Sequence, residues 1–249
     1  MRSRVFLLLV LLLLSACESE RAAPLDVQPK GPPAVSTDLV AKHAEQFDRD
    51  LPDRHPGSQG EFAAATYLLA HLQDAGYVVE LDYVPVEDLI RSTNVVAAAP
   101  GGTPDVVVVA AYDAGSNGET VGLLLELARA ARVRHPGHGI EFVALGAESA
   151  SIGGGALGSR RLAQRLIDDE IRPVVVELAH VGIGAATRYY GDEVEEFEAA
   201  TGVVEGDAAG VDRVWDRAGF PYLVVSGDVD EIGDALLEYV ERAGDRVAG

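Results

Sequence analysis

Val106 to Ala130 reads VVVVAAYDAGSNGETVGLLLELARA, and how this stretch folds decides the rest of the chain. The run Val106 to Tyr112 carries no charged residue and no amide, so it does not read as a strand with one wet face. It fits a short strand covered on both sides, as in a largely parallel sheet. Gly, Ser and Asn in the next residues mark a loop. From Thr120 to Val133 the apolar residues recur at helical spacing, so the unit is strand, loop, helix.

Working outward, the same alternation repeats. Short Val-rich runs at Tyr77 to Val86, Asn94 to Ala99, Ile140 to Leu145 and Val174 to Leu178 are predicted strands. Helices are predicted at Ser58 to Ala75, with Ser58 as cap and Gly76 as stop, and at Ser159 to Ile171 and Glu193 to Ala200. A last helix follows Asp230. The pattern predicts a three-layer αβα sandwich around one mixed, mainly parallel sheet, with the first two or three strands antiparallel. In such sheets ligands sit at the carboxyl ends of the strands. The loops that matter are therefore Asp113 to Glu119, Ala147 to Gly158 and Ala179 to Tyr190.

The amino terminus is a separate matter. Arg2 and Arg4 precede the apolar run Val5 to Leu14, which is too short for an ordinary membrane span and reads as a secretion signal. Leu14-Ser15-Ala16-Cys17 resembles the lipobox of bacterial lipoproteins, which implies a signal peptide over 1–16 and a lipidated Cys17 as the mature terminus. Cys17 is the chain's single cysteine, so no disulfide forms within the chain. Several acyl chains on that residue would hold the protein stably on a membrane, at about 0.8 kcal/mol per buried CH₂. Residues 17–36 are rich in Pro, Ala and charge without hydrophobic period, as expected of a flexible tether. The folded domain is expected over 37–249, and the location is the bacterial cell envelope, outside the cytoplasm.

The formal net charge is -20, and losing Arg2 and Arg4 with the signal makes it -22. A surface this acidic repels phosphate backbones, so nucleic acid is not an expected partner. No Gly-x-Ser-x-Gly elbow, P-loop or dinucleotide fingerprint is present. His135 and His138 in RHPGHG have a chelating spacing but sit in a helix-to-strand turn and read as solvated loop. His55 belongs to a capped turn, and His43 and His71 to helices.

A resemblance emerges when five stretches are taken in order: LPDRHPGSQGEFAAATYLLAHLQDAGYVVE, NVVAAAPG, VVVVAAYDAGSNGETVGLLLELARA, EFVALGAESASIGGGALGSRRLA and AGFPYL. Together they resemble the landmarks of the secreted zinc aminopeptidases, which share a family with glutaminyl cyclases and the transferrin-receptor ectodomain. The match spans roughly Leu51 to Val225. The active relatives use two zinc ions about 3.5 to 4 Å apart to make hydroxide from a bridging water.

Carried onto this chain, the resemblance implies that the ligand positions are changed. The His of the family's His-Tyr-Asp is Ala111 here. The bridging Asp falls on Gly118, or on Asn117 or Glu119 with a one-residue shift. In the Glu-Glu pair the general base is kept as Glu148 and the ligand is Ser149. The next Asp is Ala179, and the last His is Asp212, which could still coordinate a metal.

The implied molecule is a pseudopeptidase with no metal cofactor, whose crevice or acidic outer face binds a peptide or protein partner. The alternative is a divergent metal-dependent aminopeptidase or cyclase, with zinc held by a rearranged site drawn from Asp113, Glu119, Glu148, His180 and Asp212. Gly118 and Ala179 are expected on loops at the strand ends, where a bulky substitution would close the crevice without entering the packed sheet. The anchor reading is tested by Cys17→Ser. The variant should leave the membrane fraction and lose labelling by fatty-acid precursors, whereas unchanged fractionation with a cleaved signal would exclude lipidation.

Overall fold

The computed structural model describes residues 30–113, 117–149, 154–182, 184–202 and 214–248. The signal, Cys17, most of the tether and Asp212 lie outside these residues.

The Val106 stretch forms β3 (Val106–Ala111) and α3 (Gly118–Arg134). Along β3 the side chains alternate between two cores. Val106, Val108 and Ala110 pack with one buried cluster, and Val107 and Val109 with the other. Both clusters are dry, which is why the strand shows no polar alternation. The larger core draws on α1 (Thr37–Asp50), α2 (Gln59–Asp74), α3 and α7 (Val229–Ala248). The smaller is closed by α4 (Leu157–Asp168) and the short α6 (Trp215–Ala218). Helices on both faces of one sheet make the three layers expected from the sequence.

The remaining strands are β1 (Val78–Glu87), β2 (Ile90–Ala98), β4 (Ile140–Leu145), β5 (Val174–Val181), β6 (Arg188–Gly191) and β7 (Tyr222–Gly227), with α5 (Val194–Thr201) between β6 and α6. Among the described residues the seven strands are ordered β1-β2-β4-β3-β5-β7-β6. β4, β3, β5 and β7 run parallel, while β1 with β2, β2 with β4, and β6 with β7 are antiparallel. The connection from β3 leads to one side, to β4, and the connection from β5 to the other, toward β7. The loops after β3 and β5 therefore diverge and open a crevice between those two strand ends.

Several boundaries differ from the sequence reading for physical reasons. β2 starts at Ile90, because Arg91, Ser92 and Thr93 pair with Pro85, Val84 and Tyr83 in a hairpin whose polar half carries no apolar signal. β5 continues past Leu178 to Val181, which lies opposite Gly227 of β7 after a register shift. Ala179 and His180 are thus strand residues, not loop. β6 and β7 were not among the predicted strands. β6 is four residues long and carved from the expected loop Ala179 to Tyr190.

Gly118 also differs from expectation. It opens α3 and is buried against α1, where a Cβ would stand 2.7 Å from the carbonyl oxygen of Ala44 and 2.6 Å from a carboxylate oxygen of Asp48. One turn on, a Cβ at Gly122 would stand 2.6 Å from the carbonyl oxygen of Val40. The two glycines let α1 and α3 meet backbone to backbone. Alanine at Gly122 would gain about 1 kcal/mol of helix propensity, but the overlap is with main chain that cannot swing aside, at about 1–3 kcal/mol. Gly122→Ala is therefore expected to lower the melting temperature by several degrees and Gly118→Trp to abolish cooperative unfolding. Gly137→Ala, with no atom within 4 Å, should change stability by less than about 0.5 kcal/mol, all read by thermal denaturation.

Candidate functional site

The crevice is built from the end of β3 upward. Tyr112 closes the strand by donating its N–H to the carbonyl of Leu145 on β4 (3.0 Å). Its hydroxyl donates to the carbonyl of Thr93 (2.8 Å) and approaches Glu61. Glu61 is buried on α2, where Ser58 caps the helix by accepting the Glu61 N–H (2.9 Å). The Glu61 carboxylate accepts from the Gly57 N–H and the Ser92 hydroxyl. Burial raises the pKa of Glu61, an effect its hydrogen bonds oppose.

Beside this end of β3 lies Arg54, 2% exposed. Its guanidinium donates to the carbonyl of Tyr112 (2.8 Å), to the carbonyl of Leu51 and to the Asn117 side-chain oxygen (2.9 Å), and it stands 4.5 Å over the ring of Phe47. Asn117 in turn donates to the carbonyl of Ala111 (2.5 Å). A positive charge thus sits in a cage of acceptors at the strand end. Burial lowers the Arg54 pKa, against the pull of Asp48 and Asp113.

Asp113 is 8% exposed. One carboxylate oxygen accepts from the Ser149 N–H (3.0 Å), while Oδ1 has no hydrogen-bond partner among the described residues. Burial raises its pKa, with the Ser149 hydrogen bond and Arg54 acting in the opposite direction. Glu148, on the loop after β4, points to the start of α4. Its two oxygens accept from the Ser159 N–H (2.7 Å) and hydroxyl (2.9 Å). α4 has no side-chain cap from its own N-cap residue, Ala156, so Glu148 serves in that place. Ala147 and Ala156 bracket this loop in the left-handed region at φ 56° and 55°, a conformation that alanine adopts only when its surroundings impose it.

Asn94 on β2 binds both sides of the same loop. It donates to the carbonyl of Gly158 (3.0 Å) and accepts from the N–H of Gly146 (3.1 Å). On the β5 side, Thr120 accepts from the N–H of Val181 (3.1 Å), and Glu119 stands 3.0 Å from where a Cβ of Gly182 would lie. Glu119, not Gly118, therefore faces across the crevice. His180 is exposed, and Ala179 packs against the smaller core.

The structure brings Ala111, Asp113, Asn117, Ser149 and Arg54 to one strand end and places Glu119 at the end of β5. The roles of Arg54 and Asn94 escaped the sequence reading. Arg54 lies in the quoted LPDRHPGS segment, but nothing local to the sequence distinguishes a buried arginine from an exposed one. Of the positions implied by the family resemblance, the described ones do not group as zinc donors, and Asp212 lies outside the described residues. Ala111, Gly118 and Ala179 carry no donor atom, and a guanidinium lies at the same strand end. Among the described residues no three His, Cys, Asp or Glu side chains are grouped to hold a metal. That includes His135 and His138, whose rings stack at 4.4 Å and lie 3.6 Å from Glu241 and Asp245 of α7. His135 is exposed, as expected of a solvated turn, and His138 is partly covered. Among the described residues no helix is long and apolar enough to cross a membrane.

No protein-family model matches the chain, and no curated protein matches it. Solved structures do. A glutaminyl cyclase from an Acidobacteriales bacterium superposes with a TM-score of 0.68 at 17% identity, over 91% of this chain and 99% of the other. A Zn-dependent exopeptidase from Parabacteroides distasonis gives 0.67 at 16% identity, over 87% and 100%. Porphyromonas gingivalis glutaminyl cyclase gives 0.66 at 19% identity, over 87% and 99%. The fold is that of the zinc-dependent exopeptidases and glutaminyl cyclases, and at these identities the likeness is one of fold.

The Arg54 cage should be structural as well as local. Arg54→Met would leave the acceptors of Tyr112, Leu51 and Asn117 buried and unpaired, costing about 3 kcal/mol or more. At about 2–4 °C per kcal/mol for a domain of this size, the melting temperature should fall by roughly 6 °C or more. Arg49→Met, on an exposed ion pair with Glu45 and Asp50, should move it by no more than about 2 °C. Equal small effects would show that the cage does not support the crevice.

Proposed function

We propose that this protein is a lipid-anchored, non-catalytic module of the exopeptidase fold, held in the bacterial envelope through Cys17. In this reading the crevice between the ends of β3 and β5 binds a peptide or protein segment. The observation that carries the proposal is the end of β3 itself. A buried arginine, caged by Tyr112, Leu51 and Asn117, lies beside Ala111. A positive charge there opposes a bound dication. The one retained carboxylate of the expected catalytic pair, Glu148, has both oxygens occupied at the start of α4. Without a metal to polarise a carbonyl, such a group supplies only about 10²- to 10⁴-fold, far too little for amide hydrolysis. The leader ending at Leu14-Ser15-Ala16-Cys17 supports the anchor, and the acidic surface favours a neutral or basic partner segment.

One observation favours a second reading, a divergent metal-dependent aminopeptidase or cyclase. Asp113 Oδ1 is buried without a partner among the described residues, and Glu119 stands across the crevice near Gly182. The two readings part on one experiment. Purified protein with excess zinc should hydrolyse no aminoacyl amide, cyclise no amino-terminal glutamine and show no rise in melting temperature. A specific metal would stabilise by about 2.7 kcal/mol at a hundredfold excess over its Kd. Zinc-dependent turnover abolished by Glu148→Gln would establish the enzyme. For the binding module, Gly182→Trp should remove binding to a peptide array without lowering the melting temperature, and retained binding would place the interface elsewhere.

A further inference from the structure

α2 carries two apolar stripes. Ala64, Leu68 and Leu72 are buried in the larger core, while Phe62 stands outside it and, with Ala65 and Leu69 at the core's edge, lines a cavity between this helix and the β1–β2 hairpin. Leu81 and Tyr83, two residues apart and hence on one face of β1, form the facing wall. The walls do not close. A cavity of about 270 Å³ remains between them, open to solvent. Phe62 is 74% exposed and Tyr83 57%, so two aromatic rings stand in water at its rim. Single exposed apolar residues are ordinary, but a contiguous set lining a concavity is the usual mark of a binding site.

Two charged residues line the cavity, Glu61 and Arg91. The Glu61 carboxylate is turned inward to Gly57, Ser92 and Tyr112. Arg91 has no ion pair and no side-chain hydrogen bond among the described residues. In a chain of net charge -20, an arginine left unpaired beside an apolar cleft is a charge available to a ligand. A guanidinium also matches a carboxylate in shape, with two parallel donors.

We propose that this cleft binds a small monocarboxylate whose apolar body lies between α2 and β1 and whose carboxylate is held by Arg91. The volume falls just under the range of about 300–1,000 Å³ usual for small-molecule sites, so the body is the size of one aromatic or branched side chain and not a long acyl chain. The cleft shares Glu61 and its cap with the network behind Tyr112, but the residues that would hold the ligand, Phe62, Leu69, Leu81, Tyr83 and Arg91, take no part in the crevice, so the proposal does not rest on the function assigned to it.

The test is calorimetric titration with N-acetyl-L-phenylalanine and with its amide, which differ only in the charged group. The acid should bind and the amide bind on the order of tenfold more weakly, the range set by one charge-assisted hydrogen bond. Arg91→Gln should bring the acid to the amide's level. Thr66→Trp, at an exposed position on the cleft wall, should fill the cavity and remove both. Thermal melting confirms that each variant is folded. Equal affinity for acid and amide, unchanged binding to Arg91→Gln or Thr66→Trp, or no saturable heat with the acid would each overturn the proposal.

Discussion

Burial of β3 on both faces is the constraint on which the rest of this structure depends. A strand with dry cores above and below leaves no room for a polar group along Val106 to Ala110. Chemistry is therefore displaced to the strand's end. The connections from β3 and β5 then leave in opposite directions, and the crevice follows from topology before any side chain is specified. The close approach of α1 to α3 through Gly118 and Gly122 belongs to the same constraint, because it brings the helical layer near enough to keep the valines dry.

What occupies the strand end is a network of main-chain carbonyls, one arginine and one aspartate. Arg54 satisfies carbonyls that the strand and the preceding turn would otherwise leave bare, and Asn117 passes the interaction on to Ala111. Asp113 receives the N–H of Ser149 and so joins the loop after β3 to the loop after β4. Glu148 and Asn94 then tie that second loop to α4 and β2. These groups act as fasteners between loops. Asp113 Oδ1 has no partner among the described residues, and burial pushes the proton affinity of that carboxylate upward.

The strands with continuous apolar runs, β3 and β4, were legible to the residue or nearly so, as was α2 with its Ser58 cap. β2 and β6 were not. The first half of β2 is polar, and β6 is too short for a periodic signal. The candidate site was legible only as a set of loops. Asp113, Glu119 and Glu148 were recognisable as carboxylates near the strand ends, but their duties depend on partners that only the fold brings up: Ser149 for Asp113, Gly182 for Glu119 and Ser159 for Glu148. Gly118 was misplaced for the same reason, since the residues it abuts, Ala44 and Asp48, lie on a helix about 70 positions earlier.

The sequence by itself determined the layers and the location of the crevice, because both follow from hydrophobic periodicity and from the order of strands and helices, which are local properties. It also determined the absence of donor atoms at Ala111, Gly118 and Ala179, a matter of side-chain chemistry alone. Only the tertiary structure decided that Arg54 is buried at the end of β3, that Glu148 caps α4, that Ala179 and His180 belong to a strand and that α2 and β1 leave a cleft beside Arg91. Each of these depends on which distant residues are brought within hydrogen-bond or van der Waals range, and that is fixed by packing across the whole sheet.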